Sequence, residues 1–312
     1  MNGASFGKGA ALTAFAFFLW GIFPLYWRLL SAVAAFHILA LRILLSLVLV
    51  SVILLAQKNV SWIALFKSPK NAVMTILAGL ILSCNWGVYI WAVNTGHTIE
   101  ASLGYYINPL VSIVLGLTFF RETLRPLQWI AVGIAFVGVL ILTVLQGGLP
   151  WISLALALTF GFYSLLKKMI MLPALESLGA ETLAAAPFGI FLLCFNFNIS
   201  QDSPAVLTLS SFQHLAYLAA VPAHVLILLA LSGAATMLPL YLFSQGAKLI
   251  PLSTIGFTQF LSPTLQFIIG LFIFGESFPL QYFIAFVFIW SAGILYIVSL
   301  RSAATENQRS SS

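Results

Sequence analysis

The sequence predicts an all-α membrane protein of ten transmembrane helices, arranged as two inverted five-helix repeats. Three observations carry that prediction. The 312 residues are 62% hydrophobic and 6% charged, with mean hydropathy +1.09, whereas soluble domains carry about 25% charge. The basic residues alternate between short connectors in one consistent register. A Pro–Gly–Glu pattern occurs twice at identical spacing. No soluble fold of this length keeps so much apolar surface from water.

In lipid the backbone must pair with itself, which leaves helices or closed barrels. Barrel strands alternate apolar and polar residues, and the apolar runs here are long and continuous, so helices are predicted. At about 20 residues per crossing, spans fall at 9–29, 37–56, 72–95, 101–120, 127–145, 150–167, 181–198, 224–246, 251–274 and 280–299. The first run is too long for the core of a signal peptide, and Arg28 interrupts it before Ser31-Ala32-Val33-Ala34, so an uncleaved span is expected. The stretch 205–222 reads as an external loop with a surface-lying helix that Pro222 ends. Domains follow as 1–147, a first five-span repeat; 148–301, a second, inverted one; and 302–312, a polar, Ser-rich cytoplasmic tail expected to be disordered.

Charge tests the span count. With a cytoplasmic N-terminus, the inner segments carry Lys8, Lys58, Lys67, Lys70, Arg121, Arg125, Lys167, Lys168, Lys248, Arg301 and Arg309. The outer loops carry Arg28, and Arg42 lies within span 2. Such a positive-inside bias implies ten spans with both termini cytoplasmic. The net charge of +6 is scattered, which argues against nucleic acid. Cys84 and Cys194 sit singly in apolar runs and form no disulfide or zinc pattern. No cofactor or metal is expected, and no nucleotide motif that would let ATP drive the chain.

Span 4 reads Asn108-Pro109, Gly116, Glu122; span 9 reads Ser262-Pro263, Gly270, Glu276. Pro-Leu-Gln follows each Glu, at 126–128 and 279–281. Trp20-Gly21-Ile22-Phe23 is echoed by Phe160-Gly161-Phe162-Tyr163. A repeat of five spans, an odd number, places the second half upside down, a common plan among secondary transporters.

The runs Asn85-Trp86, Trp91-Ala92-Val93-Asn94 and Glu100 to Leu110 resemble the EamA-type transporters of the drug/metabolite transporter superfamily, most closely the RarD-like branch named for chloramphenicol sensitivity. Gly256 to Thr264 and Phe160 to Tyr163 resemble it too, so that the likeness spans nearly the whole chain. The resemblance implies ten spans, two five-span repeats and a bacterial inner membrane location, and it implies no particular substrate. His37 departs from it, standing five before Arg42 where that branch commonly has an acidic residue.

Pro109 and Pro263 are candidate helix breaks or hinges. A proline frees a carbonyl inside a span, and Pro109 lies about 12 Å past Ala101, near mid-membrane. Polar residues around the breaks and in other spans are candidate cavity walls: Asn85, Tyr89, Asn94, Tyr105, Asn108, Tyr163, Gln245, Gln259 and Ser262. Trp20, mid-span and equivalent to Phe160, joins them as a stacking surface, with packing as the plainer role. Arg42 is a candidate anion ligand that can also snorkel, and Glu181 a candidate proton-coupling carboxylate or a helix N-terminal acid. The two are expected not to pair, because inversion sets them at opposite ends. His37 and His224 read as interfacial, and Glu122 and Glu276 as structural carboxylates closing loops.

The reading that follows is a secondary active transporter whose two halves rock around a midplane cavity. With no fixed charge assigned to that cavity, a small neutral, zwitterionic or amphipathic solute is expected, with proton coupling open. The alternative is a non-transport membrane protein: a channel, a scramblase or an intramembrane enzyme. An enzyme lacks its constellation, since the one Asp is Asp202 in a polar loop and the histidines are isolated. Expected partners are the solute, the lipid bilayer and, as an option, a second copy in a homodimer.

Overall fold

The computed structural model describes residues 3–31, 33–58, 68–94, 98–145, 147, 151–200, 203–209, 221–275 and 281–309. The elements are α1 (Gly3–Leu29), α2 (Ala35–Ala56), α3 (Pro69–Asn94), α4 (Thr98–Phe119), α5 (Pro126–Leu145), α6 (Trp151–Met169), α7 (Ala174–Cys194), β1 (Phe195–Ser200), β2 (Ser203–Leu209), α8 (Ala223–Ala247), α9 (Leu252–Gln259), α10 (Leu261–Phe272) and α11 (Gln281–Arg309). Nine described segments are long and apolar enough to cross a membrane, α9 and α10 together forming one, and Leu103–Phe119 of α4 is a further apolar helix. Large apolar side chains such as Leu55, Val144 and Ile294 face outward, as expected where lipid is the solvent.

Four boundaries differ from the sequence reading. The seventh span begins at Ala174 rather than 181, because Glu176 and Glu181, which look like an interface in sequence, are buried inside α7. Phe195-Asn196-Phe197-Asn198-Ile199-Ser200 alternates with period two, a strand signal. It pairs antiparallel with 203–209, Phe195 opposite Leu209. Residues 205–209 are therefore strand, not surface helix, and 210–220 lie outside the described residues. The ninth span is broken at Phe260 into α9 and α10. The tail expected to be disordered from Ser302 continues α11 to Arg309, through Ala, Glu, Gln and Arg, which are good helix formers.

Short connectors make neighbouring helices antiparallel. The ends of α4, α6 and α8 meet the starts of α7 and α9 through Glu122–Leu252, Lys168–Ile250 and Lys248–Leu172 contacts. This is the lysine-rich end. At the opposite end Leu30 and Val33, after α1, pack with Val221 and Val225 at the start of α8. Arg28 there lies over Phe274, past the end of α10.

The main packing runs between the halves. Helix α1 packs on α8 and on α9–α10, and its counterpart α6 packs on α3 and α4. Helix α2 packs on α7 and α8, and α7 packs on α2 and α3; α4 crosses α9, and α5 lies along α11. Exchanging each helix for its partner five spans on returns the same set of pairs.

At the α4–α9 crossing the backbones nearly touch. A Cβ on Gly256 would lie 2.7 Å from the Pro109 carbonyl oxygen and 3.0 Å from Ile113, whereas one on Gly133 would meet nothing within 4 Å. Gly256→Val should therefore cost about 1–3 kcal/mol through overpacking, and Gly133→Ala should be neutral or slightly stabilising. Thermal melting of the detergent-purified protein should show a clear drop in Tm for the first and none for the second.

Candidate functional site

A cavity of about 930 Å³, its mouth included, lies in the middle of the bundle. It draws its walls from α1, α2, α3, α4, α6, α8, α9 and α10. Of the residues singled out in the sequence, Trp20, Arg42, Asn85, Tyr89, Tyr105, Asn108, Gln259, Ser262 and Pro263 line it. Tyr163, Gln245, Pro109 and Glu181 do not. The side chain of Asn94 lies outside the described residues.

Prolines build the wall. Each removes the N–H that would bind the carbonyl four residues earlier. For Pro24, Pro109 and Pro263 those carbonyls belong to Trp20, Tyr105 and Gln259, all of them cavity residues. In lipid a freed carbonyl needs a substitute partner. Gln266 Nε2 supplies one to Trp20, at 3.2 Å. Pro109 itself faces α9, where it sets the close approach to Gly256.

The polar groups are unequally occupied. Asn85 Nδ2 donates to the Leu156 carbonyl at 3.0 Å and to Thr159 Oγ1 at 2.8 Å, which ties α3 to α6. Gln259 Nε2 donates to Ser112 Oγ at 3.0 Å. Asn108 Oδ1 is buried with no partner, which costs about 1–3 kcal/mol unless something fills the role. The Tyr89 and Tyr105 rings meet tilted at 59° with centroids 5.8 Å apart, and Trp20 meets Phe160 edge-on, also at 5.8 Å. Those last two, which echo each other in sequence, thus meet between α1 and α6. Arg42 Nε donates to Thr236 Oγ1 at 3.1 Å, and its guanidinium carbon lies 4.4 Å from the Trp86 ring and 5.0 Å from Trp27. Arg42 therefore does not snorkel out; it puts a fixed cation on a cavity expected to hold none.

Towards the lysine-rich end the space is filled by Phe17, Leu115, Tyr163, Leu240, Phe243 and Ile255. Glu122 seals that end in a way the loop-closing expectation missed. Its carboxylate accepts the Leu252 N–H at 2.6 Å and the Ser253 N–H at 2.9 Å, and Ser253 Oγ–H at 2.7 Å. It caps a helix of the other half rather than its own loop. Gly116 explains the six-residue spacing, since a Cβ there would lie 2.7 Å from Glu122 Oε2. Glu276 lies outside the described residues.

Glu181 is fully engaged as well. Oε1 accepts Lys167 Nζ at 2.6 Å and Ser177 Oγ at 2.7 Å, and Tyr163 donates to Oε2 at 3.3 Å. It makes no pair with Arg42. A second cavity of about 310 Å³, lined by Ser46, Ser83, Thr182, Thr236 and Glu181, shares Leu82, Trp86 and Leu240 with the first. Just past the end of α8, burial first and Lys167 second push the Lys248 ammonium down to about 8, opposed by Glu181 and Glu176.

The sequence reading missed Trp27, Trp86, Pro24, Gln266, Thr236 and Lys167. Pro24 is findable as one of three further prolines inside predicted spans, with Pro187 and Pro239. Lys167 read as a connector charge, because nothing local to it marks burial.

Removing one partner of a buried pair leaves an uncompensated charge, at about 3–5 kcal/mol, whereas replacing both with apolar groups is often neutral. Lys167→Met should lower the Tm strongly, and adding Glu181→Leu should restore most of it. A double variant as unstable as the single one would contradict this.

Comparisons agree with the architecture. The EamA-like transporter family profile matches residues 7–144. "Uncharacterized transporter YojE" of Bacillus subtilis is 41% identical, covering 96% of each chain. "Protein RarD" of Streptomyces exfoliatus is 41% identical over 94% of this chain and 90% of its own. "Protein RarD" of Escherichia coli is 35% identical over 93% and 94%. A crystal structure at 19% identity matches with TM-score 0.66 over 94% of this chain and 98% of its own, a likeness of fold.

Proposed function

The chain belongs to the EamA-like transporter family, in its RarD-like branch, and is an integral multi-pass membrane protein; from that premise we propose that it is a secondary active transporter working by alternating access. The observation that carries the proposal is the mid-bundle cavity walled by proline-bearing helices of both halves, α4 running unbroken through Pro109 and the ninth span breaking at Phe260, three residues before Pro263. Proline-interrupted segments in corresponding positions of two repeats are the expected surroundings of a transporter's solute site. We read 1–147 and 148–301 as inverted repeats. An odd number of spans per half supports that reading, and so does the set of packing pairs, which is unchanged when the halves are exchanged.

Because the halves interlock, the bodies that move are not the sequence halves. Helices α1, α8, α9 and α10 form one packed group, and α3, α4 and α6 the other, joined at the α4–α9 crossing. Rocking at that crossing opens one end as it closes the other. In this structure the Glu122 cap holds the lysine-rich end shut. The positive-inside rule supports a cytoplasmic position for that end, with both termini on that side and a bacterial inner membrane as the location.

The place of the Lys167–Glu181 pair, on a small cavity that shares Leu82, Trp86 and Leu240 with the solute cavity, supports a role for Glu181 in proton coupling. A pair that serves structure alone would tolerate the Lys167→Met/Glu181→Leu replacement without loss of gradient-driven uptake.

Comparing metabolites inside and outside cells that lack or overproduce the protein should reveal the solute. Reconstituted into vesicles, the protein should then move it saturably. Gln259→Leu should raise KM about 2–10-fold, the worth of one hydrogen bond, and lower the Tm as buried Ser112 loses its partner. Flux that rises linearly with solute concentration would favour a channel and overturn the proposal.

A further inference from the structure

Arg42 is the only charged side chain on the cavity wall among the described residues. A cation inside a membrane span is costly and is kept where it has a partner or a function. Its Nε is spent on Thr236, and the indoles of Trp86 and Trp27 flank the guanidinium. Among the described residues no acceptor is paired with its two terminal nitrogens, and the described carboxylates Glu122, Glu176 and Glu181 are engaged elsewhere. The fork is thus held and oriented while its donor edge stays open. A planar oxyanion takes that edge with two parallel hydrogen bonds. On the same wall, Asn108 Oδ1 is an acceptor 5% exposed without a donor. The surfaces between are aromatic: Trp20, Tyr89, Tyr105 and Phe160.

We propose that Arg42 binds the carboxylate of the transported solute and that Asn108 Oδ1 accepts an N–H or O–H from the same molecule. The solute class is a small aromatic or apolar organic acid carrying a further hydrogen-bond donor, zwitterions included. Neutral solutes and simple cations fall outside it. The proposal rests on the central cavity being the transport site, and it narrows the wider range of neutral, zwitterionic and amphipathic solutes. A phospholipid phosphate offers the same oxyanion chemistry, so the test separates the two sources.

The test uses purified full-length protein in detergent and four probes that differ only in their polar ends: phenylacetate, phenylalanine, 2-phenylethylamine and 2-phenylethanol. The readout is the rise of Tm with probe concentration. Phenylalanine and phenylacetate should stabilise, and the amine and the alcohol should not. Arg42→Gln should weaken both acids at least tenfold, and Arg42→Lys should weaken them less, since it keeps the charge without the fork. Thr236→Val, outside the cavity wall, should weaken both acids severalfold through misorientation of Arg42, which keeps the test open if Arg42→Gln does not fold. Asn108→Leu should weaken phenylalanine and spare phenylacetate.

Equal stabilisation by the amine, acids unaffected by Arg42→Gln, or no response to any probe at 10 mM would overturn the proposal. So would phosphatidylglycerol that co-purifies with the wild type, is lost in Arg42→Gln, and is not displaced by phenylacetate. Trp20→Ala separates this proposal from its premise. If it abolishes binding that Arg42→Gln spares, the cavity reading stands and the anion subsite falls. If neither variant alters binding of a probe that stabilises the protein, the cavity reading itself falls.

Discussion

A helix that starts inside a membrane bundle brings backbone N–H groups with no intrahelical partner and little water to bind. At α9 two of these are held by Glu122, which reaches across from the end of α4. The carboxylate fits because Gly116 leaves it room, and its charge suits the positive end of a helix dipole. The contact ties residues 130 positions apart in sequence and fixes where α4 and α9 cross. The close approach of Gly256 to Pro109, the Gln259–Ser112 hydrogen bond and the solute cavity all depend on that crossing.

The cavity follows from the same scarcity of partners. Prolines at 24, 109 and 263 release carbonyls at Trp20, Tyr105 and Gln259, and the bundle tolerates them where polar side chains gather. Asn85 shows the opposite use of a polar group, since both bonds of its Nδ2 are spent on holding α3 to α6. Arg42 and Asn108 stand apart from it because the terminal guanidinium nitrogens and Asn108 Oδ1 are not spent. Among the described residues Ser232 Oγ and Ser244 Oγ are also buried without a partner, but neither lines the cavity.

Much of this was legible in sequence because lipid imposes simple rules. Apolar length marked the spans, and Lys and Arg marked their ends. The repeated spacing pointed to Pro109 and Pro263, although Pro109 turned out to shape the crossing rather than the wall. The failures share a cause. Glu176, Glu181 and Lys167 look like boundary charges until their burial is seen, so α7 was started seven residues late. Glu122 resembles a loop residue because its partner, the start of α9, is distant in sequence. Trp27 and Trp86 resemble interfacial aromatics until Arg42 is found between them. Pairings between distant segments are what composition and periodicity cannot carry.

The central claim is that the α4–α9 crossing is a pivot latched by Glu122. Distances between spin labels at both ends of the two helix groups test it most directly, with Cys84 and Cys194 replaced by Ser. Labels at positions 8 and 119 report the lysine-rich end, and labels at 29 and 151 the other; all four sites are exposed. The account predicts that Glu122→Ala lengthens the 8–119 distance in a larger share of molecules and shortens 29–151 in the same share. Distances that do not respond to the substitution, or two ends that open together, would contradict it.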